Sequence, residues 1–442
     1  MSDLERKIET LLNKLQSKGA SDVLIKRTTT EQLIIRYAKN KVTIPIINNS
    51  WDLVVKLGYN KRYLITNISD TEFDPEAYSE LLIKEAKKLE EDPNYAELKK
   101  SGDFMEKNPT DVSAGEYYDK ALNIVESVIE ESLSKKVKEV AGIFTMRIEK
   151  IRLLSSLGLD AEDERETVTL NHRCLNDVNV TGQWACFSRS INNLETKQLV
   201  EKSSYILEKS LPVKRIKPGK YDVVFSAMIF AQLMERVALS ASAFSVEAGF
   251  SFLTDKLNEK VAKEILTVYD DPTFKESPGY ARFDDEGIRT YKKEIISKGI
   301  LKNYLHNLTT AKKFNTESTG NAGLIMPIPW AIVIDRGEMD EDEIIKELKN
   351  GLVVYNSWYL RYQNYRKGDF STVLRDGVIE VENGEAKSYL VGARLSDNFI
   401  NLMNSIEALS KTVYPIKWWE VEVPTYAPFA LVRNMNITTS EV

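Results

Sequence analysis

The sequence predicts an α+β protein with two domains, a helix-and-strand N-terminal domain at residues 1–210 and a strand-rich C-terminal domain at residues 211–442. A chain of 442 residues exceeds the usual size of one domain. Stretches with helical spacing of apolar residues are mixed with stretches of strict alternation, which indicates both helices and strands. The segment Leu211–Lys220 combines Pro212, Pro218 and Gly219 with four cationic residues, so it is predicted to connect the two domains.

The N-terminal half alternates amphipathic helices with strands. Apolar residues recur at helical spacing in Leu4–Lys18, which is predicted as the first helix. The remaining predicted helices are Pro75–Glu90, Ala114–Lys135 and Asn192–Glu208. The predicted strands are Val23–Lys26, Gln32–Tyr37 and Trp51–Leu57, followed by four strands between Val140 and Arg189. The exposed connection between the second and third helices is marked by Pro93, Ser101–Asp103 and Asn108–Pro109.

The C-terminal half begins with a strand at Tyr221–Phe225 and an unusually apolar helix at Ser226–Phe244. Short strands with glycine-containing turns are predicted beyond this helix. The turns are Lys298–Gly299, Asp376–Gly377 and Asn383–Gly384. An Asn-Gly pair between two apolar runs is typical of a tight hairpin, so Val378–Val381 and Lys387–Val391 are predicted to pair.

The composition excludes several classes of protein. Sixty basic and 66 acidic residues are mixed along the chain and leave a net charge of −6, so no broad basic field is available for nucleic acid. Two cysteines are too few for a secreted disulfide framework. The charged start of the chain lacks the apolar core of a signal peptide, and the longest apolar runs are too short to span a bilayer. We therefore expect a cytoplasmic protein with no nucleic-acid or membrane partner.

Histidine and cysteine are scarce, so few metal sites are conceivable. His172 and Cys174 lie two residues apart and would face the same side of a strand, where Cys186 could meet them across a turn at Asp177–Gly182. The alternative is a hairpin with two buried thiols and one hydrogen-bonded imidazole, which we favour because free cysteine commonly packs as a small apolar residue. His306 stands apart and is predicted to be a surface or hydrogen-bonded residue.

Three further segments could carry chemistry. Asp284–Gly287 is an acidic turn, which is either a cation site or, as we prefer, a solvated turn. Ser318–Gly323 lacks the lysine of a phosphate-binding loop, so its small residues predict a tight loop that another segment approaches closely. Glu235 lies with Arg236 in the apolar helix, where a carboxylate is costly unless it is paired or lies at the core boundary.

Several motifs of this sequence resemble the TldD/PmbA family, which is described as comprising peptide-maturing metalloprotease subunits and modulators of DNA gyrase. The resemblance covers nearly the whole chain and is strongest from Tyr269 to Gly323. The matching segments are Tyr269–Thr273, Phe283–Gly287, Gly299–Leu305, Ser318–Ala322, Gly368–Ser371, Glu382–Glu385, Asn398–Phe399, Asn404–Ile406 and Ala427–Val432, together with Lys18–Asp22 after the first helix. The resemblance implies a two-domain architecture like that of the family.

The zinc-bearing branch of this family carries a His-Glu-x-x-x-His helix and a cysteine near the C-terminus. In this sequence the two histidine positions hold Met234 and Leu239, and only the glutamate position is kept, as Glu235. No cysteine follows Cys186. Thioether and isobutyl groups cannot replace imidazole on zinc, so the resemblance implies no metal, no cofactor and no catalytic residue in this chain.

This pattern is similar to the PmbA (or TldE) branch, which implies a non-catalytic subunit. The expected partner is a zinc-bearing TldD-like subunit in a heterodimer, or a second copy in a homodimer, and the expected substrate is an extended peptide bound by strand addition. The residues expected near the shared groove are Asp284, Asp285, Arg289, Thr319, Gly320 and Asn321. Two alternatives stay open: a self-sufficient hydrolase with a metal site outside the family pattern, and a regulatory interaction protein.

Overall fold

The structure is a computed structural model that describes residues 3–100, 102–110, 113–177 and 179–439. Ser101 of the predicted connection and Val178 of the predicted turn lie outside the described residues. The chain combines helices with two large sheets, which confirms the α+β class. The predicted boundary at residue 210 falls between the fourth helix and the seventh strand and stays a prediction.

The N-terminal sheet contains six strands within the described residues, in the order β3-β2-β1-β4-β5-β6. Every neighbouring pair in this sheet is antiparallel. The strands are β1 (Asp22–Ala38), β2 (Lys41–Tyr59), β3 (Arg62–Ile68), β4 (Glu139–Ser155), β5 (Asp160–Leu175) and β6 (Thr181–Ser188).

Two strand predictions for this half are wrong. The segments Val23–Lys26 and Gln32–Tyr37 belong to one strand, β1, because its pairing with β2 and β4 continues through the polar residues between them. The region from Val140 to Arg189 holds three strands of the described chain rather than four. Strands β4 and β5 stay in register over almost their whole length, so local changes in apolar pattern do not interrupt them.

Helices cover the N-terminal sheet at opposite ends of β1. These helices are α1 (Asp3–Ser17), α2 (Pro75–Ala86), α3 (Tyr118–Leu133) and α4 (Thr196–Glu208), and a 3-10 turn at Ala114–Tyr117 precedes α3. Helices α1 and α2 pack together over Val23 and Ile25. Helices α3 and α4 pack together near Leu33 and Ile35, in a core that continues into the C-terminal half.

The C-terminal sheet contains twelve strands within the described residues. Its main path runs β11-β10-β9-β12-β18-β8-β13-β14-β15-β7, while β16 pairs with β14 and β18, and β17 pairs with β18. The strands are β7 (Val213–Arg215), β8 (Gly219–Phe225), β9 (Val268–Asp270), β10 (Lys293–Ser297), β11 (Ile300–Leu301), β12 (Ile332–Ile334), β13 (Gly351–Asn364), β14 (Asp369–Glu382), β15 (Glu385–Val391), β16 (Ala393–Asn398), β17 (Ile406–Trp418) and β18 (Val421–Thr439).

The C-terminal helices are α5 (Ala227–Ser240), α6 (Ala243–Glu247), α7 (Leu308–Lys313), α8 (Glu341–Leu348) and α9 (Phe399–Asn404). The single helix predicted at Ser226–Phe244 is therefore wrong, because α5 ends at Ser240 and α6 begins after a break. The N–H of Ala243 donates to Leu305 instead of continuing α5, so a tertiary contact ends the helix. Among the described residues, no helix is both long and apolar enough to cross a membrane.

Two of the three predicted turns are confirmed. Asn383 and Gly384 join β14 to β15 with φ angles of 52° and 77°, which is the left-handed geometry of a tight hairpin. Lys298 and Gly299 join β10 to β11 in the same way. The turn predicted at Asp376–Gly377 is wrong, because both residues lie inside β14, where the register with β13 shifts at a bulge.

Candidate functional site

Helix α5 begins at a capped N-terminus and is buried on almost every side. The hydroxyl of Ser226 accepts a hydrogen bond from the N–H of Met228 and caps the helix. The helix packs against β8, β13, β17 and β18, so apolar side chains are needed all around it. Any polar side chain on α5 therefore needs a hydrogen-bond partner within the core.

Glu235 lies in the interior of α5 and is buried. Its Oε1 accepts a hydrogen bond of 2.7 Å from the N–H of Val423 on β18. The guanidinium of Arg236 lies 4.0 Å from Oε2, at the limit of an ion pair. Burial raises the pKa of Glu235 to about 7. Of the two expected arrangements, pairing with a cation is present as the long contact with Arg236, whereas a position at the core boundary is not, because the side chain is fully buried. The principal partner of the carboxylate is a backbone amide.

The residues at the two positions where the resemblance implies histidine carry no metal-binding group. Met234 is fully buried and Leu239 is partly buried. A thioether is a poor ligand for zinc and an isobutyl group is none, so these residues do not fit a catalytic zinc ion. In the part of the chain that the structure describes, no group of three or more His, Cys, Asp or Glu side chains is arranged to hold a metal.

A second buried carboxylate, Glu420, lies beside α5 in the turn between β17 and β18. Its Oε2 accepts a 2.9 Å hydrogen bond from the amide of Gln232, and its Oε1 accepts a 2.8 Å bond from the N–H of Tyr359. The guanidinium of Arg236 lies 3.9 Å away. Sequence reasoning missed this residue, and its only local signal was an acid directly after two tryptophans. The two carboxylates tie α5 to the surrounding strands.

The acidic turn at Asp284–Gly287 is buried against the N-terminal sheet, so the prediction of a solvated turn is wrong. Asp284 accepts hydrogen bonds of 2.9 Å from the N–H groups of Ala322, Glu286 and Ile288. Burial, with the nearby carboxylate of Glu286, raises the pKa of Asp284.

The cations at this turn are lysine side chains of the N-terminal sheet. Asp285 pairs with Lys26 at 2.5 Å, and Glu286 pairs with Lys56. Glu286 also accepts a 2.7 Å hydrogen bond from the N–H of Leu308 through its second oxygen. These contacts join the two halves of the chain.

The small-residue loop at Ser318–Gly323 is tight, as predicted. Gly320 has a φ of 66°, and a Cβ there would lie 2.6 Å from the carbonyl oxygen of Arg289. The amide of Asn321 donates to Asp270 at 2.6 Å. The Oγ1 of Thr319 accepts a 2.7 Å hydrogen bond from the N–H of His306. The loop is therefore closed by its own contacts.

The structure brings the six residues expected near a groove into one cluster. Asp284, Thr319 and Asn321 are buried, whereas the side chain of Arg289 is about half exposed and pairs with Asp103 at 3.0 Å. Strand β18 links this cluster to α5. The N–H of Val423 on β18 binds Glu235, and Thr425 on the same strand pairs with Ile332 of β12. Ile332 pairs in turn with Asp270 of β9, whose carboxylate accepts the amide of Asn321.

The predicted hairpin with a hydrogen-bonded histidine is confirmed. His172 is buried, its Nδ1 lies 2.7 Å from the hydroxyl of Tyr37, and its Nε2 lies 2.9 Å from that of Ser132. Burial lowers the pKa of His172 to about 3 and raises that of Cys174 to about 11. Both cysteines are buried thiols. These groups are suited to packing, because a protonated thiol is a poor metal ligand.

His306 is a hydrogen-bonded residue rather than a surface one. It is buried, and its Nδ1 lies 3.3 Å from the hydroxyl of Thr310. Burial lowers the pKa of His306 to about 4, so the imidazole is neutral at physiological pH.

The chain is similar to several known proteins. Residues 218–439 match the model of the PmbA/TldA metallopeptidase C-terminal domain. A metalloprotease of Methanocaldococcus jannaschii is 25% identical over 93% of this chain and 93% of its own length. A metalloprotease of Archaeoglobus fulgidus is 31% identical over 49% of this chain and 52% of its own length.

Two solved structures share the fold over nearly the whole chain. A Thermotoga maritima protein described as a modulator of a DNA gyrase aligns with a TM-score of 0.86 at 24% identity, covering 98% of this chain and 100% of its own. TldE from Thermococcus kodakarensis aligns with a TM-score of 0.84 at 21% identity, with the same coverage. At these identities the likeness establishes the fold.

Proposed function

The chain belongs to the TldD/PmbA family, and we propose that it is a non-catalytic, peptide-binding subunit of a heterodimeric zinc metalloprotease. Its partner would be a zinc-bearing relative with a His-Glu-x-x-x-His helix, and its substrate an unfolded peptide. The observation that carries the proposal is the identity of Met234 and Leu239 on either side of Glu235 in α5. Relatives of this chain are named metalloproteases, so proteolysis is the chemistry to which such a subunit would contribute.

The ligand chemistry supports a subunit without its own zinc. Catalytic zinc takes three protein ligands and keeps one position open for water or substrate. Met234 is buried among apolar side chains, and the sequence holds no cysteine after Cys186. Replacing imidazole with a thioether and an isobutyl group removes the nitrogen donors that bind zinc. A complete zinc site would therefore have to come from the partner.

The contacts of Glu235 support a structural role for the one residue that matches the family motif. A general base must reach the water or substrate proton that it removes. The Oε1 of Glu235 accepts the N–H of Val423 at 2.7 Å, and the whole side chain is buried. This carboxylate holds strand β18 on α5, so its loss should affect stability rather than the chemical step.

The cluster around Asp284 and Asn321 supports a peptide-binding role only through its exposed members. Asn321 is buried and donates to Asp270, so replacing it would disturb the fold as well as any groove. Arg289 is about half exposed and its ion-pair partner Asp103 is almost fully exposed, so this pair contributes little stability. Arg289→Ala is therefore the cleaner test of the groove, with Arg336→Ala, another exposed arginine, as its matched control.

The decisive experiment is reconstitution with a zinc-bearing relative from the same organism. We expect the two chains to co-elute, zinc to be found only in the relative, and cleavage of an unfolded peptide to require both chains. In the pair, a Glu-to-Gln change in the relative's motif should abolish cleavage, whereas Glu235→Gln in this chain should not. Proteolysis by the isolated chain with one bound zinc ion, or failure to associate with any such relative, would refute the proposal.

The two alternatives predict different outcomes of simple measurements. A self-sufficient hydrolase with a metal at His172, Cys174 and Cys186 would bind zinc stoichiometrically by itself. A regulatory interaction protein would bind a protein partner such as a topoisomerase, and any direct contact with DNA phosphates would weaken steeply with salt. With a net charge of −6 we expect no measurable duplex binding near physiological salt, as read by fluorescence anisotropy.

A further inference from the structure

A group of three aromatic rings, two exposed and one partly buried, lies beside the buried carboxylate of Glu420. This aromatic patch consists of Trp358 and Tyr359 on β13 and Trp419 in the turn between β17 and β18. The ring of Trp419 lies 5.8 Å from that of Trp358 and 5.6 Å from that of Tyr359. Tyr359 is 51% exposed and Trp419 is 46% exposed. Clustered exposed rings of this kind mark binding surfaces in many proteins.

The backbone holds Tyr359 in an unfavourable conformation that exposes its ring. Its φ is 63°, a left-handed value that bulky residues rarely adopt. The N–H of Tyr359 donates to Oε1 of Glu420 at 2.8 Å, and the amide of Gln232 holds Oε2 of the same carboxylate at 2.9 Å. Gln232 in turn accepts a 2.6 Å hydrogen bond from Ser357. A strained residue maintained by a buried network is typical of a functional surface.

Three arginines lie beside the aromatic patch, and one of them, Arg173, lies 5.0 Å from the ring of Trp358 and is paired with Asp376 at 2.8 Å. The guanidinium of Arg375 lies over the ring of Trp358 at 4.7 Å, and among the described residues it has no carboxylate partner within ion-pair distance. Arg361 lies 6.0 Å from the ring of Tyr359. Its side chain is 63% exposed, and its nearest carboxylate is Glu420 at 3.6 Å. The surface therefore offers apolar rings between two accessible positive charges, although the chain is acidic overall.

We propose that the aromatic patch binds an extended peptide in which an aromatic or apolar side chain is flanked by carboxylates. The rings would contact the apolar side chain, and Arg361 and Arg375 would pair with the flanking acids. The inference names a substrate class and rests on the proposed peptide-binding function. A single-stranded nucleic acid would also stack on aromatic rings, but it needs a basic groove along its backbone. The two exposed arginines at the patch, Arg361 and Arg375, do not form such a groove, and Arg173 is already paired with Asp376.

Binding can be measured on the isolated full-length chain with fluorescein-labelled decapeptides. One peptide carries a central Phe between Glu residues, a second has Lys in place of Glu, and a third has Ser in place of Phe. We expect the Glu-Phe peptide to bind about tenfold more tightly than either of the others. Its affinity should fall as salt is added, because the flanking pairs are exposed.

Variants assign the binding to individual side chains. Trp419→Ala should weaken the Glu-Phe peptide about tenfold, and Trp419→Phe should restore most of that affinity. Arg375→Glu should remove the preference for Glu over Lys. Tyr359→Gly should raise the thermal unfolding midpoint, because glycine tolerates the left-handed conformation, and yet weaken binding. Phe250→Ala and Arg336→Glu change an exposed aromatic residue and an exposed arginine elsewhere, and should leave binding unchanged.

Three results would overturn the inference. The first is equal affinity for the Glu-Phe and Lys-Phe peptides, or no effect of Trp419→Ala on a correctly folded protein. The second is tighter binding of oligothymidine than of any peptide, which would indicate a nucleic-acid site. The third is loss of association with the zinc-bearing relative in Trp419→Ala while peptide binding persists, which would make the patch a subunit interface. Failure of the proposed function would look different. The reconstituted pair of subunits would then not cleave peptide, although this chain would still bind it.

Discussion

Replacing Glu235 with glutamine should stabilise the protein at alkaline pH and leave it nearly unchanged at acidic pH. Glutamine keeps an oxygen that can accept the N–H of Val423, but it carries no charge in the core. Burial raises the pKa of Glu235 from 4.5 to about 7, so the folded state keeps a proton there that the unfolded chain releases. The free energy of unfolding contributed by this group therefore falls as pH rises from about 4.5 to about 7.

The size of the effect follows from the shift in pKa. Each unit is equivalent to about 1.4 kcal/mol, so the buried carboxylate costs the folded state about 3 kcal/mol above pH 7. Urea unfolding at about pH 5 and about pH 8 should therefore show Glu235→Gln more stable than the parent by a much larger margin at the higher pH. Glu347→Gln removes an exposed carboxylate of α8 and provides the baseline for the loss of one charge. An equal effect of Glu235→Gln at both pH values would refute this reasoning.

Three further substitutions test other parts of the structure. His172→Asn should reduce the loss of stability between about pH 6.5 and about pH 3, because the imidazole is neutral when folded and gains a proton when unfolded; acid titration of both proteins would measure this. Lys56→Met should cost about 3–5 kcal/mol of unfolding free energy by leaving Glu286 buried without its cation, and adding Glu286→Gln should recover most of it in denaturant unfolding. Gly320→Ala should lower the thermal midpoint by several degrees, because its Cβ would press on the carbonyl of Arg289; no change would show that the loop can relax.

Local patterns predicted the parts of the fold that depend on short-range interactions. The periodicity of Leu4–Lys18 located α1 to within a residue at each end, and Asn383–Gly384 located a hairpin. Both depend on residues that are neighbours in the chain. Strand lengths were predicted less well, because β1 and β4 continue through polar stretches that only their paired neighbours stabilise. For the same reason the bulge at Asp376–Gly377 resembled a turn in the sequence.

The residues of the candidate site likewise differ in whether the sequence alone could predict them. The placement of Met234, Glu235 and Leu239 on one apolar helix was predicted, since helical spacing alone determines which residues share α5. Glu420 was not predicted, because its partners Gln232 and Tyr359 come from two other elements of the fold. The aromatic patch beside Glu420 was not predicted for the same reason. Tyr359 and Trp419 are sixty residues apart in the chain and meet only where β13 approaches the β17–β18 turn.

The sequence by itself determined the family resemblance, the mixed helix-and-strand class and the absence of histidine from α5, because these properties belong to residue identities and their spacing. Only the tertiary structure decided which charges are buried. Asp285 and Glu286 read as solvated acids until Lys26 and Lys56 are brought to them from more than 200 residues away. A charge can leave water only where an opposite charge or hydrogen-bond donors replace the solvent, and the fold supplies those partners from distant parts of the chain.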